Sequence, residues 1–243
     1  MIDIRILFDN YEGEAGFKTG SGFSCFIKRG YGGILFDTGG DSEVLVHNLN
    51  KAEIKPSMIT RVVLSYCHKD HTGGLKEILK LKRDFNIYAG KTCVENLINN
   101  EDFKDLNLIT VDSEPVEIMN GVYLTGEIGD DIKEVSVVMD TGGGLVIITG
   151  CAHAGIREIL KRAKEIVNEK IFALVGGFHL KDKREEEILD LIETLKVEGV
   201  KYIAPSHCTG DLARKLLKEA FQSGFIDVGA GTHIYIRGSC EYV

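Results

Sequence analysis

Residues 64–75 read LSYCHKDHTGGL, and they follow the spacing of a metal signature, His-x-His-x-Asp-His, with Tyr66 where the first histidine would stand. Upstream, RVVLS has the apolar, β-branched make-up of a buried strand. Downstream, Leu75, Ile78 and Leu79 fall at 3/4 spacing and predict a helix. Asp70 and His71 are neighbours on what reads as a tight loop, so their side chains diverge and can serve two positions. His68 returns to the same face as position 66. Gly73 and Gly74 let the backbone turn into its helix close to any bound ion.

The chain has seven histidines, and the same slot recurs. LVIITG runs into His153, IFALVGG into His179 and KYIAP into His207. Helices are predicted from about Gly155, after His179 and after Thr209. For the second of these, Asp182 and Glu185 have N-cap and capping-box spacing. Five histidines (His68, His71, His153, His179 and His207) therefore lie past the carboxyl end of a strand and before a helix. If those strands face one way, their loops share an edge of the kind where open α/β folds bind ligands. His47, within a helix, and His233, opening the last strand, fall outside the pattern and read as structural or solvated.

The rest of the chain supports one α/β unit spanning residues 1–243. IRILF, GFSCFIK and GILFD read as early strands, with a helix from Ser42 that carries Val44, Leu45 and Leu49 on one side. VEIMNGVYLTG holds Asn120 and Gly121 between apolar runs, a hairpin signal, and VSVVMDTGGGLVIITG reads as a second hairpin. A new β-then-α sequence begins near residue 116, hinting at internal duplication. The 44% hydrophobic content of the 243 residues is enough for a sizeable core. No stretch is long and apolar enough to span a bilayer. MIDIRILFDN is charged at positions 3, 5 and 9, which predicts a first strand and not a secretory signal, hence a cytoplasmic protein.

A net charge of −8 argues against a nucleic-acid surface, which needs a basic patch. A small-molecule substrate is the expected partner, with neither nucleic acid nor membrane. The six cysteines include no Cys-x-x-Cys pair and predict no disulfide framework. Cys25, Cys93 and Cys240 read as small core or edge residues. Cys67, Cys151 and Cys208 each lie within two residues of a motif histidine, where they either pack beneath the loops or offer soft ligands favouring zinc.

In order along the chain, FDN (8–10), GFSCFI (22–27), ILFDTG (34–39), LSYCHKDHTGGL, LTGEI (124–128), ITGCAHAGI (148–156), VGGFHL (175–180), APSHCTG (204–210) and GAGTHI (229–234) resemble the metallo-β-lactamase superfamily almost end to end. The resemblance is nearest to its dihydropterin ribofuranosylaminobenzene phosphate synthase-like branch of metal-dependent hydrolases. It implies an αββα sandwich, two mixed β-sheets with helices on both outer faces, holding one or two zinc, manganese or iron ions at a shared sheet edge. It further implies His68, Asp70, His71, His153 and His207 as ligands, Asp37 as the partner that orients one of them, and His179 as either a ligand or a substrate contact. The wider superfamily often carries a bridging aspartate where this chain has Gly150 and Cys151.

Tyr66 bears on the chemistry. A phenol ionises near pH ~10 in water and binds a metal well only once deprotonated. The set of Asp70, His71 and His207 is complete for one zinc with a water. A second position, with His68 and His153, is expected to be weak, absent, or bound through a Tyr66 phenolate. The function implied is a metal-dependent hydrolase or related transferase for a small, anionic or phosphorylated substrate. Asp70, His179 and Tyr66 are its candidate catalytic residues, and Lys69 and Lys181 flank the motifs. The alternatives are a catalytically reduced binding module of the same fold and, less favoured for a chain with no second domain, redox work at a di-iron site.

Overall fold

The computed structural model describes residues 1–103, 105–237 and 241–242. Cys240 lies outside them. Among the described residues, fourteen strands form two sheets. The first contains β1 (Ile2–Phe8), β2 (Ser24–Arg29), β3 (Gly32–Phe36), β4 (Arg61–Leu64), β5 (Asn86–Gly90), β6 (Leu108–Val111), β13 (His233–Arg237) and β14 (Glu241–Tyr242), in the order β14-β13-β1-β2-β3-β4-β5-β6. The second contains β7 (Val116–Met119), β8 (Val122–Leu124), β9 (Val137–Asp140), β10 (Leu145–Thr149), β11 (Ile171–Gly177) and β12 (Tyr202–Ser206), in the order β12-β11-β10-β9-β8-β7. The second sheet starts where the sequence suggested a new β-then-α rhythm, and the chain then returns to the first sheet.

Alternation along the strands produces the layers. Ile34, Phe36 and Val63 of the first sheet, and Val146 and Ile148 of the second, point into a core between the sheets. Their neighbours Leu35, Val62 and Leu64 face outward to α1 (Ser42–Lys51), α3 (Leu75–Leu81) and α4 (Lys91–Ile98). Leu145 and Ile147 face outward to α5 (Ile156–Ile166), α6 (Glu185–Val197) and α7 (Asp211–Phe221). Strands buried on both faces must be apolar at every position, which explains runs such as LVIIT. The result is the αββα arrangement expected. Among the described residues no helix is long and apolar enough to cross a membrane.

The pairs β3/β4, β4/β5 and β5/β6 are parallel, as are β10/β11 and β11/β12. Parallel strands bring their carboxyl ends to one edge, so the loops bearing the five motif histidines meet there. A hydrogen bond from Val135 N–H to Ser65 O, 2.9 Å, ties the two sheets together at that edge.

Three local expectations change. Asp70 and His71, expected on a tight loop, sit on a single helical turn, α2 (Lys69–Thr72). Helix α6 begins at Glu185 with Arg184, not Asp182, as its N-cap. Glu185, Glu186 and Glu187 suit the positive end of the helix, and Glu187 accepts the Arg184 N–H at 3.2 Å. Cys93 is not merely a small core residue: it is joined to Cys67 by a disulfide with Cα atoms 4.9 Å apart. Cys67 thereby ties the loop between Tyr66 and His68 to the first turn of α4.

Candidate metal centre

The centre begins at Asp37, just past β3, in the left-handed region with φ 54°. Its carboxylate accepts the Ser65 N–H and the Ser65 hydroxyl, each at 2.7 Å, and faces His71 Nδ1 at 2.7 Å. Asp37 and His71 are fully buried. Burial opposes charge on His71, but the Asp37 carboxylate outweighs it and lifts the imidazole to about 10. With Nδ1 committed, the opposite nitrogen, Nε2, is buried without a hydrogen-bond partner.

The same construction recurs twice. His207, after β12, places Nδ1 on Asn10 Oδ1 at 2.7 Å, and its backbone N–H donates to Asp9 Oδ1 at 3.3 Å. Its Nε2 lies 3.3 Å from Asp70 Oδ2, which is 3.8 Å from His71 Nε2. Burial raises the Asp70 pKa, but the His207 hydrogen bond and the two imidazoles overcome it and hold the carboxyl at about 2. His153 pairs through Nδ1 with Glu134 Oε1, while Glu134 Oε2 accepts the Ala152 N–H at 2.8 Å. Each ring is thus fixed from behind through Nδ1, as outer partners fix metal-ligating histidines.

The predicted residues do converge. The His71 ring centroid is 5.1 Å from that of His207, and His153 is 4.4 Å from His179. Tyr66, itself buried, stands among them with its ring 4.6 Å from His68, 4.4 Å from His71 and 4.9 Å from His153. Burial, then the nearby Cys151 and Asp70, pushes its phenol far above the usual range, so in the absence of a cation it is neutral. His68 is exposed, with its ring 5.9 Å from that of His153, the loosest member of the set. His47 and His233 lie elsewhere, bound to Gly16 O and paired with Asp3.

Sulfur occupies the middle. Cys151 Sγ is 2.8 Å from Cys208 Sγ and 3.7 Å from His179 Nδ1, and the His179 N–H donates to Cys208 Sγ at 3.3 Å. The hydrogen bond with Cys208, then burial, raises the Cys151 thiol to about 11. No side chain fits at position 150: a Cβ on Gly150 would lie 2.2 Å from Ser65 Oγ and 2.9 Å from Asp37 Oδ2.

These residues fit a cation. Three anchored imidazoles, that of His71 with a buried and unpartnered Nε2, and the Asp70 carboxylate are donors of the kind that hold a metal ion. Two groups, His71 with Cys151 and His207, and Cys151 with His153 and His179, each bring their ligand atoms within 4.8 Å of one another. Beside them open a cleft of about 460 Å³, bordered by His153, His179, Arg157 and Lys183, and another of about 310 Å³, bordered by Tyr66, His68, Glu127 and Asp130. Sequence reasoning missed Glu134 and the role of Asn10. FDN was visible as a motif, whereas nothing local marks Glu134.

The profile of the metallo-beta-lactamase superfamily matches residues 18–207. The chain belongs to that superfamily. It is 31% identical over 279 aligned residues to the 7,8-dihydropterin-6-methyl-4-(beta-D-ribofuranosyl)-aminobenzene-5'-phosphate synthase of Methanocaldococcus jannaschii, with 95% of each chain covered. Among solved structures it is similar to a metal-dependent hydrolase of the beta-lactamase superfamily, with TM-score 0.83, 27% identity, and 98% and 100% of the two chains covered. The metallo-beta-lactamase fold protein YhfI of Bacillus subtilis shares the fold, with TM-score 0.69, 15% identity, and 96% and 99% covered.

Proposed function

We propose that this chain is a metal-dependent hydrolase, or a related transferase, acting on a small anionic or phosphorylated substrate. The observation that carries the proposal is the set of three imidazoles, His71, His153 and His207, each anchored from behind by Asp37, Glu134 or Asn10. A pocket built only for packing has no use for such orientation. Zinc suits the donors best, with manganese or iron as replacements.

When bound, the cation supplies Lewis acidity and hydroxide near neutral pH. The protein's own residues supply the rest. Asp37, Glu134 and Asn10 keep the rings in place. Asp70, ionised well below neutral pH, contributes negative charge between His71 and His207. His179 is exposed at the cleft mouth, beside His153, and is placed to carry a proton to a leaving group. Tyr66 can donate a hydrogen bond as a neutral phenol.

Support for an anionic substrate comes from Lys181 beside His179 in the adjoining cleft, whereas Arg157 and Lys183 of the larger cleft are paired with Asp190 and Glu187. The start of α5 opens on the larger cleft with no side-chain cap. The relative's name, a synthase of a phosphorylated ribofuranosyl compound, points the same way and keeps group transfer in view.

Tyr66 makes the centre asymmetric, with one ion held tightly by Asp70, His71 and His207 and a second held weakly. Tyr66 also favours a second reading, a binding module of the same fold with reduced catalysis. Two measurements decide. Metal content at graded chelator concentrations, on wild type and Tyr66→His, should show one tight ion in the first and two in the second; two equally tight ions in wild type would remove the asymmetry. Phosphodiester, phosphomonoester, lactone and thioester substrates should then reveal turnover by the zinc-, manganese- or iron-loaded protein. Silence with all of them at full loading would leave the binding module.

A further inference from the structure

Cys151 follows β10 and Cys208 follows β12, and β11 lies between those two strands. The two thiols nevertheless meet, with their Sγ atoms 2.8 Å apart. They meet across Gly177, the last residue of β11, and the glycine makes the room. A Cβ at 177 would lie 2.8 Å from Cys208 Sγ and 3.4 Å from the Cys151 Cα. A disulfide bond is about 2.05 Å long, so the sulfurs need to close by less than about one ångström. The pair is also unequal. Cys151 is buried, whereas Cys208 is half-buried and borders a cleft of about 370 Å³ together with His179 and Lys181. An accessible sulfur beside a second one is the arrangement of a peroxide-sensing cysteine and its resolving partner. Cys25, the other free thiol among the described residues, is fully buried in the core between the sheets.

We infer that Cys151 and Cys208 form a site of reversible oxidation, at which a peroxide converts the two thiols into a disulfide across the end of β11. The Cys208 sulfur attacks one peroxide oxygen and the O–O bond breaks. The departing hydroxide takes the thiol proton and leaves as water, and Cys208 becomes a sulfenic acid. The Cys151 sulfur then attacks the Cys208 sulfur. The S–S bond forms, the S–O bond breaks, and hydroxide leaves with the Cys151 proton as a second water. The two thiols lose two electrons, the peroxide gains them, and a dithiol reductant reverses the change. His179 feels the result. Its N–H donates to Cys208 Sγ at 3.3 Å, its Nδ1 lies 3.7 Å from Cys151 Sγ, and its backbone is left-handed, φ 52°. Drawing the sulfurs together alters both contacts and shifts the ring that stands beside His153. That effect on catalysis rests on the metal-dependent reading above, in which His179 carries a proton; the oxidation itself does not.

The test treats the full-length protein, freed of metal by a chelator, with stoichiometric hydrogen peroxide. Thiols are counted after denaturation, peptides are mapped by mass, and backbone amides are followed by heteronuclear NMR. The count should fall by two, the new crosslink should join Cys151 to Cys208, and dithiothreitol should undo it. The His179 amide resonance should shift on oxidation and return on reduction, while that of His47 stays put. Cys151→Ser should stop at a sulfenic acid on Cys208, trapped by dimedone. Cys208→Ser should form no crosslink and leave Cys151 a thiol. Circular dichroism checks that each variant is folded, and the map of unmutated protein needs no variant. Two thiols that outlast peroxide as long as Cys25 does, a crosslink to any other cysteine, or Cys208 driven to sulfinic acid without a bond would each overturn the site. A crosslink that leaves the His179 amide unmoved overturns its hold on His179. None of these outcomes needs a bound metal, so the metal-dependent reading stands or falls separately, on the chelator and turnover measurements.

Discussion

Reducing the bond between Cys67 and Cys93 frees the segment carrying Tyr66 and His68 from the first turn of α4. The two cysteines are 26 positions apart. Closing a loop of that size removes unfolded-chain entropy worth about 3.5 kcal/mol at 25 °C. For a chain of 243 residues, each kcal/mol moves the unfolding midpoint by about 2–4 °C, so reduction should lower Tm by about 7–14 °C. The packing around Cys93, which is 3% exposed, remains after reduction, so the change acts mainly on the unfolded chain. The assay is thermal unfolding followed by circular dichroism with and without dithiothreitol, alongside a count of free thiols in the denatured protein. Cys67→Ala serves as a control whose Tm should ignore the reductant. A wild-type midpoint that stays put while the thiol count rises by two would refute the entropy reasoning. A count of six thiols before reduction would refute the bond itself.

Other expectations follow from the centre and the surface. Asp37→Asn removes the carboxylate behind His71 and should weaken metal binding by about 10–100-fold in a competitive chelator titration; unchanged affinity would mean that the ring needs no such anchor. Gly150→Ala drives a methyl into Ser65 and Asp37, so urea unfolding should show a loss of about 1–3 kcal/mol. A neutral result there would show that the turn after β10 can move away. Ala152→Gly relieves a left-handed residue, φ 62°, worth about 1–2 kcal/mol, but removes a buried methyl and loosens the unfolded chain by similar amounts. Its net stability change should stay within about 1 kcal/mol, and a larger loss would deny that strain is held there. Asp227 is held below its usual pKa first by the Lys218 hydrogen bond, with Arg214 adding to it. A lowered folded value stabilises above the unfolded pKa and is lost as pH falls through the folded one. Asp227→Asn should therefore cost at most about 1 kcal/mol near pH 7, as befits an exposed pair, and nothing once the pH is below the folded value. A difference that grows on acidification would reverse the sign of the linkage.

The convergence of His71, His153, His179 and His207 was legible because it is a local pattern: apolar strand, short loop, imidazole, helix. Parallel pairing does the rest, since strands running one way deliver their following loops to one edge. Partners across long separations were not legible. Glu134 lies 19 residues from His153, and Asn10 lies 197 from His207. Asn10 follows β1 of one sheet and His207 follows β12 of the other, so the packing of sheet on sheet brings that pair together, whereas Glu134 precedes β9 and His153 follows β10, its antiparallel neighbour in the same sheet. Cys67 and Cys93 are joined because β4 and β5 are neighbours, a pairing that no window of sequence contains. The start of α6 was misplaced because a capping pattern at Asp182 competed with the acidic run at 185–187, and the helix dipole favours the run.

The backbone at the centre carries the physical signature of a built site. Asp37, Ala152, His179 and His207 all have positive φ, four of the seven described non-glycine residues that do. Each such residue costs about 1–2 kcal/mol, so chance alone would not gather them on one edge. Every one is held by a bond that would break on relaxation: Asp37 by Ser65, Ala152 by Glu134, His179 by Cys208 and His207 by Asp9. The four partners lie 28, 18, 29 and 198 residues away, so the strain is sustained by tertiary structure and not by local preference. Tertiary bonds that hold strained backbone in place are of little use to a packing core, which tolerates repacking, whereas ligand atoms must keep their positions to within about half an ångström to share one ion.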